Sequence, residues 1–141
     1  MYAVLQCLES FLVASSVSAV VAQRLMRRIC KHCKTAYTPS VEELAYLRTM
    51  HGEAPPDGFV QGSGCNFCAH TGYLERIGVY ELLTVSESIR AMVIERASHD
   101  DLRKVARSEG MRTLQEEALR LVHSGTTTIS EVLRSIYVVG G

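Results

Sequence analysis

A chain of 141 residues with 47% apolar content can bury about two-thirds of the surface its unfolded state exposes, which excludes a disordered segment and allows one compact domain or a helical domain with an appendage. Its 15 acidic and 15 basic side chains give a formal net charge of zero, which argues against a general polyanion binder. The uncharged stretch 10–23 is broken by Ser10, Ser15, Ser16 and Ser18 and is shorter than the roughly 20 apolar residues a membrane-spanning helix needs.

Residues 1–20 make a poor signal peptide, because no basic residue precedes the apolar stretch and Glu9 interrupts it, so a reducing compartment is expected. Val4-Leu5-Gln6-Cys7 looks like a lipidation box only superficially, with no charged leader and Gln6 where a small residue belongs. Cys7 is read as a packed thiol. Phe11, Leu12, Ala19, Val20, Ala22 and Leu25 match a helical stripe better than a strand, and Arg24, Arg27 and Arg28 form the basic last turn a helix C-terminus favours. The expectation for residues 1–28 is therefore a connecting helix that runs straight into the next region.

Residues 29–74 read as a metal subdomain. Two pairs, Cys30-Lys-His-Cys33 and Cys65-Asn-Phe-Cys68, share one spacing, and each C-x-x-C turn can present two sulfurs to the tetrahedron that Zn²⁺ prefers. Four thiolates leave no open position, so the site is structural. The wide interval 34–64 must hold an inserted element, and the Ser40-Val-Glu-Glu43 capping box predicts a helix over 40–50, followed by the loop 54–58 and a short strand at 59–61. A thioredoxin-like redox motif needs only one pair after a strand, and two disulfides suit a secreted chain. His32 and His70 lie inside or beside the knuckles, but with four cysteines available both are read as non-ligands. A zinc tetrathiolate carries a formal charge of −2, and Arg27, Arg28, Lys31 and Lys34 are placed to offset it.

Residues 75–141 read as a strand and a helical bundle. The β-branched and aromatic content of 76–85 predicts the strand. Ile89, Met92 and Val93 then recur at helical spacing, Ser98 with Asp101 caps a helix carrying Leu102, Val105 and Ala106, and Thr113 with Glu116 caps one carrying Leu114, Ala118, Leu121 and Val122. Thr128 with Glu131 caps the last, with Ile129, Val132, Leu133 and Ile136 on one face. The apolar stripes are read as core packing of one small bundle. Neighbouring acids such as Glu42/Glu43, Asp100/Asp101 and Glu116/Glu117 sit in helix first turns and read as caps, not as an acid–base pair. No G-x-x-x-x-G-K-[ST], no G-x-G-x-x-G and no nucleophile elbow occurs, so no catalytic residue is assigned. The fold class expected is mainly α with a small tetracysteine zinc subdomain, α+β overall.

The strings Ser10-Phe-Leu-Val-Ala-Ser-Ser16, Val21-Ala-Gln-Arg-Leu-Met-Arg-Arg-Ile-Cys-Lys-His-Cys33, Gly64-Cys-Asn-Phe-Cys-Ala-His-Thr-Gly-Tyr73, Arg76-Ile-Gly-Val-Tyr-Glu-Leu-Leu83 and Gly110-Met-Arg-Thr-Leu114 occur in that order. Together they resemble the C-terminal third of bacterial type II secretion and type IV pilus assembly ATPases. The resemblance implies a RecA-like, hexameric traffic ATPase whose nucleotide core is missing here, acting at the cytoplasmic face of the inner membrane to drive pseudopilin or pilin assembly. With the structural Zn²⁺ read from Cys30, Cys33, Cys65 and Cys68, it implies ATP and Mg²⁺ as cofactors only in the full-length protein, and without a Walker motif no ATP hydrolysis is expected of this chain alone. Its implied partners are other ATPase subunits, the inner-membrane platform and cytoplasmic assembly proteins, with no nucleic acid. It also implies a place near bound nucleotide for Arg76, the alternative being a plain ion pair from Arg76 to Glu75 or Glu81; a glycine commonly precedes that arginine in the family, whereas Glu75 stands here. The reading from a different class is an autonomous zinc-binding adaptor that recognises protein or nucleic acid through its knuckles.

Overall fold

The computed structural model of the chain describes residues 9–136. In order, these form helix α1 (Ser10–Ser16), strands β1 (Ala19–Ile29) and β2 (Lys34–Ala36), helix α2 (Val41–Thr49), strands β3 (Val60–Gly62) and β4 (Tyr73–Thr84), and helices α3 (Glu87–Ile94), α4 (His99–Ser108), α5 (Leu114–His123) and α6 (Ile129–Ile136). Cys7 and its neighbours lie outside the described residues. Strand β1 pairs with β4, and β2 pairs antiparallel with β3 in the register Lys34↔Gly62, Thr35↔Gln61, Ala36↔Val60.

The expected helix over 1–28 is corrected. It stops at Ser16, where Val17 takes an extended backbone, and a strand replaces it from Ala19. Ala19, Ala22, Gln23, Leu25, Met26 and the arginines all have good intrinsic helix propensity, but pairing with β4 overrides a preference of a few tenths of a kcal/mol per residue. Burial follows the strand: Val20 and Ala22 are half-buried while Val21 and Gln23 are exposed. Phe11, Leu12 and Leu25, read as part of a helical stripe, are exposed, whereas Val13, Ala14 and Met26 are buried.

The chain forms two compact units, one of residues up to Ala22 with Tyr80–Thr113, the other of Gln23–Val79 with the residues from Leu114 onward. The chain passes between them within β1, within β4 and again at Thr113–Leu114, just before α5. In the first unit α1 packs on α3 and α3 on α4, around Val13, Ala14, Leu83, Ile89, Leu102 and Ala106. In the second, α2, α5 and α6 close over Met26, Leu47, Val79, Ala118, Ile129 and Val132. The single C-terminal bundle is thus corrected as well: its helices are shared between two separate cores, because the apolar stripe of α5 and α6 matches α2 and that of α3 and α4 matches α1.

Several local signals act as read. The hydroxyl of Ser40 accepts the Glu43 N–H, and the Glu43 carboxylate accepts the Ser40 N–H. Ser98 caps α4 as expected, its hydroxyl accepting the Asp101 N–H, and Ser86, which the sequence reading did not single out, caps α3 by accepting the Ile89 N–H.

Candidate metal centre

The two cysteine pairs sit on knuckles built by strand ends. The first follows β1 directly and feeds β2; the second follows β3, turns through a short 3-10 segment (Asn66–Cys68) and a left-handed Ala69, and feeds β4. Backbone bonds tie one to the other: the Cys30 N–H donates to the Gly72 carbonyl at 2.9 Å, and the Ser63 N–H to the Cys33 carbonyl at 2.9 Å. Gly62 and Gly72 touch backbone to backbone, so that a Cβ on Gly62 would stand 2.0 Å from the Gly72 oxygen. Only glycine permits that approach.

The closure brings all four sulfurs within 4.8 Å of one another. Cys30 and Cys65 stand 3.8 Å apart, Cys33 and Cys68 3.8 Å, and Cys65 and Cys68 3.7 Å. A tetrahedral centre with Zn–S bonds of about 2.3 Å separates its sulfurs by about 3.8 Å, whereas a disulfide needs about 2.05 Å. All four are free cysteines, so the disulfide alternative does not hold, and the geometry fits a four-coordinate metal such as zinc. Such a centre has no place for substrate or water.

His32 and His70 are not brought into the cluster, which among the described residues consists of the four cysteines. The imidazole of His32 stacks on Phe67 with centroids 4.1 Å apart and planes at 18°, clipping the tips of the two knuckles together. His70 is exposed on a left-handed backbone.

The donors that reach the sulfurs are backbone groups. The Gly64 N–H donates to Cys33 Sγ at 3.3 Å, and the Cys65 and Gly72 N–H groups donate to Cys68 Sγ at 3.2 and 3.3 Å. Burial works against a thiolate at Cys68, but the two N–H groups, with the Cys65 and Cys33 thiols, outweigh it and bring its pKa down to about 6. Burial, together with the neighbouring sulfurs, pushes Cys33 up to about 11 against the single Gly64 N–H. Of these two thiols, Cys68 is the one the backbone prepares as a thiolate.

Arg27, expected to offset the tetrathiolate charge, is instead committed elsewhere. Its Nε and Nη2 donate to Glu131 Oε2 at 2.9 and 2.7 Å, its backbone N–H donates to Glu131 Oε1 at 3.0 Å, and its guanidinium lies 4.1 Å from the Tyr73 ring centroid. Arg134 donates to both Glu131 oxygens, at 2.9 and 2.7 Å. Burial alone would raise the pKa of Glu131, but the bonds from Arg134 and Arg27 prevail and hold it at about 2. Thr128 does accept the Glu131 N–H at 3.2 Å, as a capping box requires, yet the carboxylate turns inward to these arginines. Sequence reasoning missed this network, since T-x-x-E is the same string whether its acid caps or is buried.

Arg76 is exposed on β4, directly after Glu75, whose φ of 69° is the left-handed value that glycine adopts without strain. The glycine expected from the resemblance thus has a backbone reason at this position.

A family model described as Type II/IV secretion system protein matches residues 5–134. The chain belongs to this family. Among its secretion-system relatives, the type II secretion system protein HxcR of Pseudomonas aeruginosa is 40% identical over 126 residues, covering 89% of this chain and 23% of that protein. The type IV pilus assembly ATPase PilB of Thermus thermophilus is 37% identical over 125 residues, 89% of this chain and 14% of that protein. The type II secretion system ATPase E of Vibrio cholerae is 32% identical over 127 residues, 90% of this chain and 25% of that protein. The chain therefore spans a quarter or less of the length of these three relatives. No described helix is long and apolar enough to cross a membrane.

Proposed function

We propose that this chain is the C-terminal region of a secretion or pilus assembly ATPase that works as a hexamer, in which a RecA-like nucleotide core hydrolyses ATP with Mg²⁺ to drive pseudopilin or pilin assembly at the cytoplasmic face of the inner membrane. Its own contribution is a structural zinc centre at Cys30, Cys33, Cys65 and Cys68, with surfaces for neighbouring subunits and for platform and cytoplasmic assembly proteins. The observation that carries this reading is the family match across residues 5–134. It is supported by sulfur spacings that suit tetrahedral zinc. The exposed Phe11, Leu12, Val21, Tyr80 and Leu82 of the first unit also support it, since a sheet of two strands is marginal alone and such side chains suit contact with a larger core.

In this reading Arg76 extends from β4 toward nucleotide and offers it a charge-assisted bond. The test is the intact hexamer. Wild type hydrolyses ATP, and Arg76→Ala lowers turnover tenfold or more, about 1.4 kcal/mol of transition-state stabilisation, with zinc content and melting temperature unchanged. The chain alone, lacking a phosphate-cradling loop, binds Mg-ATP with a Kd of about 1 mM or weaker. An intact protein without ATP turnover, or a micromolar isotherm for the chain alone, would contradict the reading.

A further inference from the structure

Strands β1 and β4, which lead into and out of the knuckles, are both gripped by residues 126–131, the approach to α6 and its first turn. On the β1 side, the Ile29 N–H donates to the Thr126 carbonyl at 2.9 Å, Thr127 Oγ1 donates to the Arg27 carbonyl at 2.8 Å, and Glu131 holds the Arg27 backbone and guanidinium. On the β4 side, the Tyr73 hydroxyl bonds Thr128 Oγ1 at 2.6 Å, and the Tyr73 ring underlies Arg27. Cys30 and Gly72, joined by their own backbone bond, follow and precede these gripped residues directly. Thr127, Thr128 and Glu131 are all buried, and the same helix sets Ile129, Val132 and Ile136 into the core of this unit.

We propose that Thr127, Thr128 and Glu131 are positioning residues of the metal centre, so that metal affinity and the docking of α6 are coupled. The proposal rests on the metal reading above. The chemistry is that of partners which orient ligands without touching the ion: the turn fixes where the β1 knuckle starts and the β4 knuckle ends, and hence the spacing of Cys30 from Cys65 and Cys68 in the folded unit. Coupling is reciprocal, since whatever metal binding does for the turn the turn does for the metal.

The test uses the whole chain and zinc itself. Competition against a chromophoric chelator is expected to show about tenfold weaker zinc binding for Thr127→Val and for Tyr73→Phe, and a larger loss for Glu131→Gln. Leu47→Ala, on α2 and making none of the turn's hydrogen bonds, is expected to lower the melting temperature at least as much as Thr127→Val while changing zinc affinity less than threefold. Cobalt-substituted Thr127→Val should show an altered visible spectrum, and stripping zinc from wild type should speed amide exchange in α6 but not in α3 or α4. Equal affinity losses for Leu47→Ala and Thr127→Val, or unchanged zinc affinity in Thr127→Val and Tyr73→Phe with α6 exchange indifferent to metal, would overturn the proposal. Wild-type protein that takes up no zinc would overturn the metal reading and this inference with it.

Discussion

The two units of this chain are held together by different physics. The first is an apolar core of short amphipathic helices, with serine caps at two helix starts and its charged side chains at the surface. The second has an apolar core too, but it adds a cluster of four thiols and a fully buried carboxylate gripped by two arginines. Both additions are costly to desolvate and stabilise only when complete, because a lone buried charge is unfavourable by several kcal/mol. The first unit should lose stability in proportion to what is removed, whereas the second should fail abruptly when one member of a set is taken away.

The largest expected effect is the loss of metal. Cys65→Ser, or chelation, removes a binding contribution on the order of 10 kcal/mol, which the apolar content of residues 29–74 does not replace. Hydrogen exchange should show those residues unfolded while α3 and α4 keep their protection; uniform loss across both units would break the comparison. In the first unit, Leu102→Ala should cost about 3 kcal/mol through lost burial and a residual cavity, read as a lower melting temperature with zinc content unchanged.

A smaller effect is pH-dependent. The folded-state pKa of Glu131, about 2, lies below its ordinary value of 4.5, so its stabilisation is fully present above about pH 4.5 and is lost as pH falls through about 2. Acid titration of stability should therefore be flatter in Glu131→Gln than in wild type, and an identical slope would remove the carboxylate from the stability of this unit. The smallest effect is a gain. Glu75→Gly should relieve a left-handed backbone at φ 69° and raise stability by up to about 1 kcal/mol, measured by denaturant midpoint; a lower midpoint would mean the Glu75 side chain contributes more than its backbone strain costs.

What could be read from sequence divides along the same line. Caps and 3.6-residue stripes are local codes, so α2, α3 and α4 were visible in Ser40/Glu43, in Ile89, Met92 and Val93, and in Ser98. The cysteine pairs were equally legible, because their repeat spacing has few other uses. Strand β1 was not: its Ala, Gln, Leu, Met and Arg residues favour helix, and only pairing with β4, a distant segment, makes it a strand. The partition of helices between two cores was hidden for the same reason. Glu131 was hidden differently, since its string codes a cap and its burial depends on Arg27, more than a hundred positions earlier.

The most direct measurement is zinc K-edge X-ray absorption on protein purified with metal present, combined with elemental analysis. One zinc per chain with four sulfur neighbours at about 2.3 Å and no nitrogen in the first shell is the expected result. Zinc well below one per chain, or a nitrogen ligand displacing a sulfur, would contradict a closed tetracysteine centre.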